Sequence, residues 1–303
     1  MSAVRTLPVR RRSLRELLAN PWGRARFLWV VAIGYVVWTL LPVVIAMLFS
    51  FNRGRSLSTF QGLSLRWYWG DPADSVWHNA EYRDALFQTL RVSFLTVLIA
   101  VPLGVAFAIA LDRWRGRIPA GANFVVMFSF VAPEIVLGVA FFLFFTKLVT
   151  AVGLGTTGQV LGLATLQLAY PVIIVRARLL SIGSEYEEAA MDLGASPLQA
   201  LRRVLLPLLA PAIFASIAVV FASTIDDFVI VRALSSDAPT ETIPVKIYSS
   251  ARGAPTPVLN AMATVTLILS ITAIVIAVLL YRRMTRGERA EGESAAAVSA
   301  LEG

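Results

Sequence analysis

The amino-acid sequence predicts an all-α integral membrane protein with six transmembrane helices. The chain has 303 residues, of which 57% are hydrophobic and only 15% are charged. Its mean hydropathy of +0.72 is too high for a soluble domain, because such a value requires several long apolar runs. The net charge of +8 comes almost wholly from arginines at the ends of these runs. This distribution is typical of membrane topology, so we predict no nucleic-acid partner.

Six segments are long and apolar enough to cross a bilayer, which requires about 20 mostly apolar residues. They are residues 27–51, 86–111, 122–148, 159–180, 205–231 and 258–281. The first is too long for a signal peptide and lacks a small-residue cleavage site before Asn52, so we predict that it is retained as a span.

The arginines predict the orientation of the six spans. If the N-terminus is cytoplasmic, the cytoplasmic segments hold the arginines of residues 5–26, 113–117, 176–203 and 282–289. The other side holds fewer arginines, spread over longer loops. Positive charge accumulates on the cytoplasmic side, so we predict that both termini are cytoplasmic.

The spans divide the chain into two tails and one membrane domain. Residues 1–26 form an arginine-rich cytoplasmic tail, residues 27–285 the six-helix domain, and residues 286–303 a small, polar tail that we predict to be disordered. The one large exterior loop, about 52–85, is rich in tryptophan and tyrosine, as is typical of the aromatic belt at a membrane interface.

The sequence lacks the residues of several kinds of chemical site. It has no cysteine, and the single His78 lies in a polar stretch, so we expect neither a disulfide nor a metal site. It has no G-x-x-x-x-G-K-[ST] phosphate loop, and neither lysine follows a glycine. We therefore predict no catalytic residue, no cofactor and no nucleotide site in this chain.

Residues 181–207 are predicted to form a helix, a break and a second helix. Ser184 and Glu187 fit a capping box, and Gly194 stands where a glycine would end the first helix. The residues that begin the second helix are Ser196, Pro197 and Gln199. A capped helix of about ten residues with acids along one face suits docking into another protein. A mere connector between two spans is the alternative.

Residues 181–207 contain EAA, three residues, glycine, nine residues, then V-x-L-P, which resembles the motif of ABC importer permeases. We therefore call this segment the coupling loop. The matching residues are Glu188, Ala189, Ala190, Gly194, Val204, Leu206 and Pro207. The resemblance implies the type I ABC importer permease fold. It also implies that Glu188, Ala189, Ala190, Gly194 and Pro207 couple the spans to an ATP-hydrolysing subunit, whose groove receives the first helix.

Further segments resemble the spermidine/putrescine permeases, especially the second of their two permease subunits. They are PEIVLGVAFFLFF (133–145), YPVIIVRARL (170–179), TIDDFVIV (224–231), TIPVKIYSSARG (242–253) and NAMATV (260–265). The 71–79 insertion and Gln167, where the family has histidine, depart from the pattern. The resemblance implies a bacterial inner-membrane importer with a second homologous permease, an ATP-binding subunit dimer and an extracytoplasmic polyamine-binding protein.

Three acidic residues are candidates for a substrate pathway: Glu134 inside the third span, and Asp226 and Asp227 near the outer end of the fifth. A charge inside a span costs roughly 2.5–3.5 kcal/mol by insertion scales, which makes such residues functional candidates. The alternatives are an ion pair of Glu134 with another subunit and interfacial solvation of the aspartates. The resemblance adds Trp67, which would contact a cation through its ring or anchor the interfacial belt.

Three other functional classes compete with a polyamine importer. The chain could be an ABC permease for another small organic cation, or a secondary transporter or channel that works without ATP. Inverted repeats would favour the second class, and the sequence shows no clear internal symmetry. A membrane scaffold without transport would leave Glu134 unexplained.

Overall fold

The computed structural model describes residues 26–114, 118–253 and 255–299. The predicted N-terminal tail lies outside these residues except for Arg26. The chain forms two compact units, Met1–Leu48 and Phe49–Gly303.

Almost all of the described part of the first unit is one apolar helix, α1 (Arg26–Ser50), whose last two residues belong to the second unit. Apolar side chains cover it on every side, and those from Leu28 to Val44 are exposed. A helix that is apolar all round needs a lipid or protein surface around it, as a transmembrane helix has.

The second unit is a bundle of helices joined by short loops. Its helices are α2 (Ala80–Arg113), α3 (Ile118–Val131), α4 (Glu134–Leu143), α5 (Thr156–Gln167), α6 (Ala169–Ile182), α7 (Glu185–Asp192), α8 (Pro197–Ala200), α9 (Leu206–Ile225), α10 (Val229–Leu234), α11 (Ile243–Ala251) and α12 (Pro257–Ser299). Single turns of π-helix occupy Arg66–Gly70, Phe144–Leu148 and Leu201–Leu205, and Ala238–Thr240 forms a 3₁₀ turn.

The structure contains the predicted membrane spans. Five helical segments are long and apolar enough to cross a bilayer, and a bent pair of helices brings the number to six if it counts as one span. The five are Leu28–Ser50, Ala80–Arg113, Thr156–Ile182, Pro197–Ile225 and Pro257–Arg283. The prediction of an all-helical protein with six spans is thus confirmed, with the third in two pieces.

The third predicted span, 122–148, is not one continuous helix. α3 ends at Val131, α4 begins at Glu134, and the two are bent by 107°. Pro133 has no backbone N–H, and its ring disfavours a helical conformation of the preceding residue, so the ladder of hydrogen bonds stops there. Glu134 therefore lies in the first turn of a new helix.

The fifth predicted span, 205–231, also ends early. α9 stops at Ile225, and Asp226 and Asp227 lie in the break before α10. The expectation that one helix continues through both aspartates to residue 231 is wrong. Asp227 instead caps α10, because its Oδ1 accepts hydrogen bonds from the backbone N–H of Ile230 (3.0 Å) and Val231 (3.2 Å).

The main core lies where α9 packs against α2 and α6. Its fully buried residues include Ala100 of α2, Val175 of α6 and Leu209 of α9. Gly104 allows α2 to approach α6 closely, since a Cβ at this position would overlap the ring of Pro171. Small residues at helix crossings are typical of membrane bundles, whose stability depends on close backbone packing.

The last helix extends farther than the sequence predicts. α12 continues to Ser299, through most of the 286–303 segment that we expected to be disordered. This segment is rich in alanine and glutamate, which favour helix, and a helix propagates from an existing span without a new nucleation cost. Residues 300–303 lie outside the described part of the chain.

Candidate functional site

The first helix of the coupling loop, α7, ends in a Schellman motif. Gly194 has φ +88°, in the left-handed region that the sequence predicts for it. Its N–H donates to Met191 O (2.9 Å), and Ala195 N–H donates to Ala190 O (3.0 Å). These are the two bonds of the motif, and they turn the chain sharply away from α7.

The second helix of the loop begins with the predicted capping box. Ser196 N–H donates to Gln199 Oε1 (2.9 Å), and Gln199 N–H donates to Ser196 Oγ (3.3 Å). Pro197 occupies the first helical position, where its missing N–H costs nothing. The helix continues through a π turn into α9, and Pro207 is exposed in the first turn of α9.

The capping box predicted at Ser184 and Glu187 does not form. Ser184 has helical angles (φ −102°, ψ −7°) rather than the extended ones that direct a capping side chain at the helix start. Its hydroxyl donates to Glu188 Oε1 (2.7 Å) instead. The carboxylate of Glu187 pairs with Arg113, the last residue of α2.

Arg113 connects three parts of the molecule, which the sequence did not indicate. Besides Glu187, its guanidinium contacts Asp112 Oδ2 (2.8 Å) and the carbonyl oxygen of Gly183 (3.4 Å). A basic residue at a helix end is an ordinary feature. Only the fold shows that this helix end lies against the first turn of α7.

The coupling loop presents an open surface of acidic and apolar residues. Glu188 and Ala189 are exposed and Ala190 is half-buried. Leu193 is 91% exposed, and Leu198, at the start of the second helix, is 55% exposed. These two leucines supply the apolar part of this surface.

The second group of candidate residues lies where two helices are broken side by side. α4 and α10 pack closely through Gly138, at which a Cβ would lie 3.2 Å from Ala233 Cβ and 3.6 Å from Val229 O. Glu134, at the start of α4, lies within electrostatic range of Asp227, at the start of α10. The fold thus brings together two acids that are 93 positions apart in the sequence.

The two breaks carry three acidic residues. The side chain of Glu134 is exposed, that of Asp226 is exposed, and that of Asp227 is half-buried. Irregular backbone at membrane depth is tolerated where it is buried in protein or lines a water-filled cavity. Like charges held close together repel each other, and a bound ammonium group relieves that repulsion.

One aromatic residue of α11, Tyr248, approaches the second of these breaks. The ring of Phe228, which follows Asp227, lies 4.8 Å from the ring of Tyr248. The guanidinium of Arg252 lies over the ring of Tyr248, 4.4 Å from its centroid. The sequence did not single out these residues, since an aromatic residue on a short amphipathic helix is usually a packing residue.

Trp67 lies elsewhere, in the core of the loop that follows α1. Its side chain is fully buried with Ile243 and Met262, and its Nε1–H donates to Asn52 O (2.6 Å). The guanidinium of Arg66 lies 5.0 Å from its ring centroid. In this conformation the ring is open neither to a substrate nor to a lipid interface.

The chain matches a family model described as the inner membrane component of binding-protein-dependent transport systems, over residues 100–289. It is 32% identical over 264 residues to the spermidine/putrescine transport system permease protein PotC of Haemophilus influenzae, covering 86% of this chain and 98% of the relative. It is 30% identical over 246 residues to the putrescine transport system permease protein PotI of Escherichia coli, covering 79% of this chain and 85% of the relative.

Solved structures of ABC importers share the fold. A bacterial ABC transporter involved in the import of the polysaccharide alginate aligns with a TM-score of 0.69 at 15% identity, covering 88% of this chain and 99% of that one. A methionine ABC transporter in an inward-facing conformation aligns with a TM-score of 0.53 at 22% identity, covering 67% and 93%. The coupling loop, the spans and these similarities agree: the chain belongs to the family of inner membrane components of binding-protein-dependent transport systems and has the ABC importer permease fold.

Proposed function

We propose that the chain is a transmembrane permease subunit of an ATP-driven importer for polyamines of the spermidine/putrescine class. The observation that carries this proposal is the placement of Glu134, Asp226 and Asp227 at two adjacent helix breaks. Polyamines carry several ammonium groups, and acids at a passage provide the complementary charge. The names of the PotC and PotI relatives point to the same substrates.

In the proposed pathway, carboxylate oxygens replace part of the water that hydrates the ammonium groups of the substrate. An ammonium group that enters the membrane loses water, and Glu134 and Asp227 replace part of that shell. At about 4 Å and an effective dielectric constant of about 20, each ion pair is worth on the order of 4 kcal/mol. Desolvation of both charges cancels part of this gain, which keeps binding weak enough for release. Trp67 contributes indirectly in this proposal, by packing the loop after α1.

The proposed complex contains a second homologous permease, a dimer of ATP-binding subunits and an extracytoplasmic polyamine-binding protein. ATP and Mg²⁺ bind to the ATPase, and this chain is not itself catalytic. Both termini and the coupling loop lie in the cytoplasm. The exposed surface of α7, with Glu188, Ala189 and Ala190, docks on the ATPase. Gly194 and Pro207 set the turn and the re-entry into α9.

The motion of the ATPase reaches the spans by two connections in this proposal. One is covalent, from α7 through the capped second helix into α9. The other is the ion pair of Glu187 with Arg113, which joins α7 to the end of α2. Since α2 and α9 pack together in the main core, both connections move the same pair of helices.

Uptake of labelled spermidine and putrescine by the reconstituted complex tests the function. We expect ATP-dependent uptake that each polyamine inhibits in competition with the other, and reduced uptake in the Glu134→Gln variant of an intact complex. Uptake of a different organic cation without competition by polyamines would identify the alternative ABC permease. Uptake that persists without ATP would contradict the importer.

A further inference from the structure

A second polar site lies in the loop after α1, outside the acidic pathway. Its cavity of about 530 Å³ is lined by Arg53, Ser64, Leu65, Arg66, Trp69 and Gly70. Two arginines thus border one open surface cavity, although nothing in the proposed transport cycle requires a positive site there. A cationic substrate would be repelled by it.

The frame of this cavity is held by backbone and side-chain hydrogen bonds. Arg53 N–H donates to Gly62 O (2.8 Å), and Ser64 N–H donates to Phe51 O (2.7 Å), so the two strands of the loop pair locally. The side chain of Asn52 fixes the turn between them, accepting from Gln61 N–H (2.8 Å) and donating to two carbonyl oxygens. The backbone that carries the donors of this cavity is therefore fixed before any ligand arrives.

Arg66 is fixed, and part of its hydrogen-bonding capacity remains. Its Nε and Nη2 both donate to Asp71 Oδ2, at 2.9 and 2.6 Å, and its guanidinium stacks over Trp67. Among the described residues no group pairs with its Nη1. Ser64 Oγ accepts from Arg66 N–H (3.1 Å), which leaves the hydroxyl proton of Ser64 available to a ligand.

Arg53 supplies the charge that is not neutralised. Within the described part of the chain its guanidinium has no ion-pair or hydrogen-bond partner, and the residue is exposed. Since Asp71 balances Arg66, the cavity carries a net charge of about one positive unit. A guanidinium binds phosphate or carboxylate oxygens in a two-pronged geometry, so a singly charged anion fits both the charge and the donors.

The surroundings of the cavity are apolar. Arg53 follows the end of α1 by three residues, which places it at the edge of an apolar span. Leu63, Leu65 and Trp69 beside it are 73%, 56% and 59% exposed. Tryptophan is enriched at the headgroup level of membranes, and arginine side chains there extend toward phosphates. The ligand must therefore combine an anionic head with an apolar body.

We propose that this cavity binds the phosphodiester of an anionic phospholipid such as phosphatidylglycerol. The phosphate, with one negative charge, would accept hydrogen bonds from Arg53, Ser64 and the free Nη1 of Arg66. Leu65 and Trp69 would contact the glycerol and the first methylenes of the acyl chains. The bound lipid would fix the loop that packs Trp67 against the end of the bundle.

The test compares lipid retention by two arginine variants of the purified full complex. Arg53→Gln removes the unpaired charge. Arg55→Gln is the matched control, since Arg55 lies on the same loop but outside the cavity and pairs with Asp74 at 3.2 Å. Each complex is extracted from vesicles of equal phosphatidylglycerol and phosphatidylcholine content, and its retained lipids are quantified by native mass spectrometry.

We expect the Arg53→Gln complex to retain about fivefold less phosphatidylglycerol, which is the contribution of one basic residue to binding at an anionic membrane surface. Its retention of phosphatidylcholine should be unchanged. The Arg55→Gln complex should match the wild type. Equal retention in the Arg53 variant, or an equal loss in the Arg55 variant, would overturn the site. If the Arg53→Gln complex does not assemble, Arg53→Lys replaces it, since lysine keeps the charge and loses the two-pronged geometry. The Arg53→Lys complex should retain an intermediate amount of phosphatidylglycerol. Retention equal to that of the wild type would count against the proposal.

A separate arm distinguishes lipid from free phosphate. Excess inorganic phosphate should leave the retained phosphatidylglycerol in place, because the apolar contacts belong to the lipid alone. Displacement by inorganic phosphate would show that the cavity recognises the free anion and would refute the lipid assignment. Polyamine uptake does not enter these measurements, so their failure is distinguishable from a failure of the proposed transport function.

Discussion

At the scale of single residues, Glu134 and Asp227 do different work although both are acids at a helix break. Glu134 is exposed in the first turn of α4 and forms no hydrogen bond with the described residues. Asp227 also caps α10 through two backbone N–H groups. Its charge and its capping oxygen can therefore be separated by mutation.

Asp227→Asn keeps the capping oxygen and removes the charge, so we expect uptake to fall by about tenfold while assembly is unchanged. Asp227→Ala removes both and should also destabilise α10 by about 1 kcal/mol. Asp226→Asn, at an exposed residue that caps no helix, should have the smaller effect. Uptake and thermal stability of the three complexes give the comparison. Equal uptake in the Asn variant and the wild type would refute a charge-based role for Asp227.

Asp71 predicts how the loop after α1 responds to pH. The hydrogen bond from Arg66, with those from the backbone N–H of Ala73 and Asp74, lowers the pKa of Asp71 from 3.8 to about 2. Because the folded pKa is lowered, the stabilisation is complete above pH 4 and is lost as the pH falls through about 2. We expect hydrogen exchange of this loop to be constant from pH 7 to pH 4 after correction for the intrinsic rate.

Substitution at neutral pH tests the same ion pair. Asp71→Asn removes the charge at any pH and should accelerate exchange throughout the loop. Asp74→Asn is the control, because Asp74 pairs with the largely exposed Arg55, and such surface pairs contribute little. Similar exchange in the Asp71 variant and the wild type would show that the pair does not hold the loop.

The sequence indicated some of these residues and misplaced others. Glu134 and Asp227 could be found because a charge within an apolar run is visible without a structure. The burial of Trp67 could not, since it depends on Ile243 and Met262, about 180 to 200 positions away. The ion pair of Arg113 could not be predicted for the same reason, because its partner Glu187 becomes a neighbour only after folding.

At the scale of elements, the coupling loop was the part most accessible to prediction and the spans were less so. Gly194 and the Ser196 capping box depend on neighbours in the sequence, and both form as expected. The breaks in the third and fifth spans did not follow from hydropathy averaged over a whole span, although charged residues lie at both. Pro133 was a visible sign of the first break, but nothing local gave the 107° bend.

Gly194→Val should weaken the turn after α7. A β-branched residue at φ +88° costs about 1 kcal/mol or more. A Cβ here would have no heavy atom within 4 Å, so the penalty comes from the backbone alone. Gly194→Asn is the matched control, since asparagine tolerates the left-handed region. We expect ATP-driven uptake to fall in the valine variant and to be largely retained with asparagine. Equal loss in both would implicate the side chain in docking.

The ion pair between Arg113 and Glu187 should be needed to transmit motion to α2. Arg113→Glu and Glu187→Arg each place like charges together and should lower uptake per ATP hydrolysed. The double exchange restores opposite charges and should recover most of it, which a role in folding at either site would not predict. Uptake and ATPase rates of the four complexes give the coupling energy. No recovery in the double variant would exclude the pair as a connection.

At the scale of the whole molecule, the number of spans and the fold class followed from hydropathy, because the bilayer thickness sets the length of every crossing helix. The packing of α9 against α2 and α6 did not follow from hydropathy, since the sequence of an apolar span does not show which other spans it contacts. The helical extension of α12 could not be predicted either, because a polar segment of good helix formers can be helical or disordered depending on whether it continues an existing helix.

Glu188→Ala should separate assembly with the ATPase from insertion in the membrane. The side chain is exposed on α7 and accepts a hydrogen bond from Ser184, so its loss should leave the spans intact. We expect less ATPase to co-purify with the permease pair, or uptake to fall at equal complex yield. Asp84→Ala, at an exposed acid of α2 outside the coupling loop, is the control. Normal yield and normal uptake in the Glu188 variant would contradict its role in coupling.

The two broken helices also bear on how such a transporter can diverge toward new substrates. The break before α4 is made by Pro133, so Glu134 is free to be exchanged for a neutral or basic residue without changing the backbone. The break before α10 is held by the carboxylate of Asp227, so exchange there is restricted to side chains that can still cap a helix, such as asparagine, serine or threonine. For evolution toward an uncharged or anionic cargo, Glu134 is therefore the permissive position and Asp227 the constrained one. We expect the first substitutions to occur at Glu134, because they leave the helix break intact.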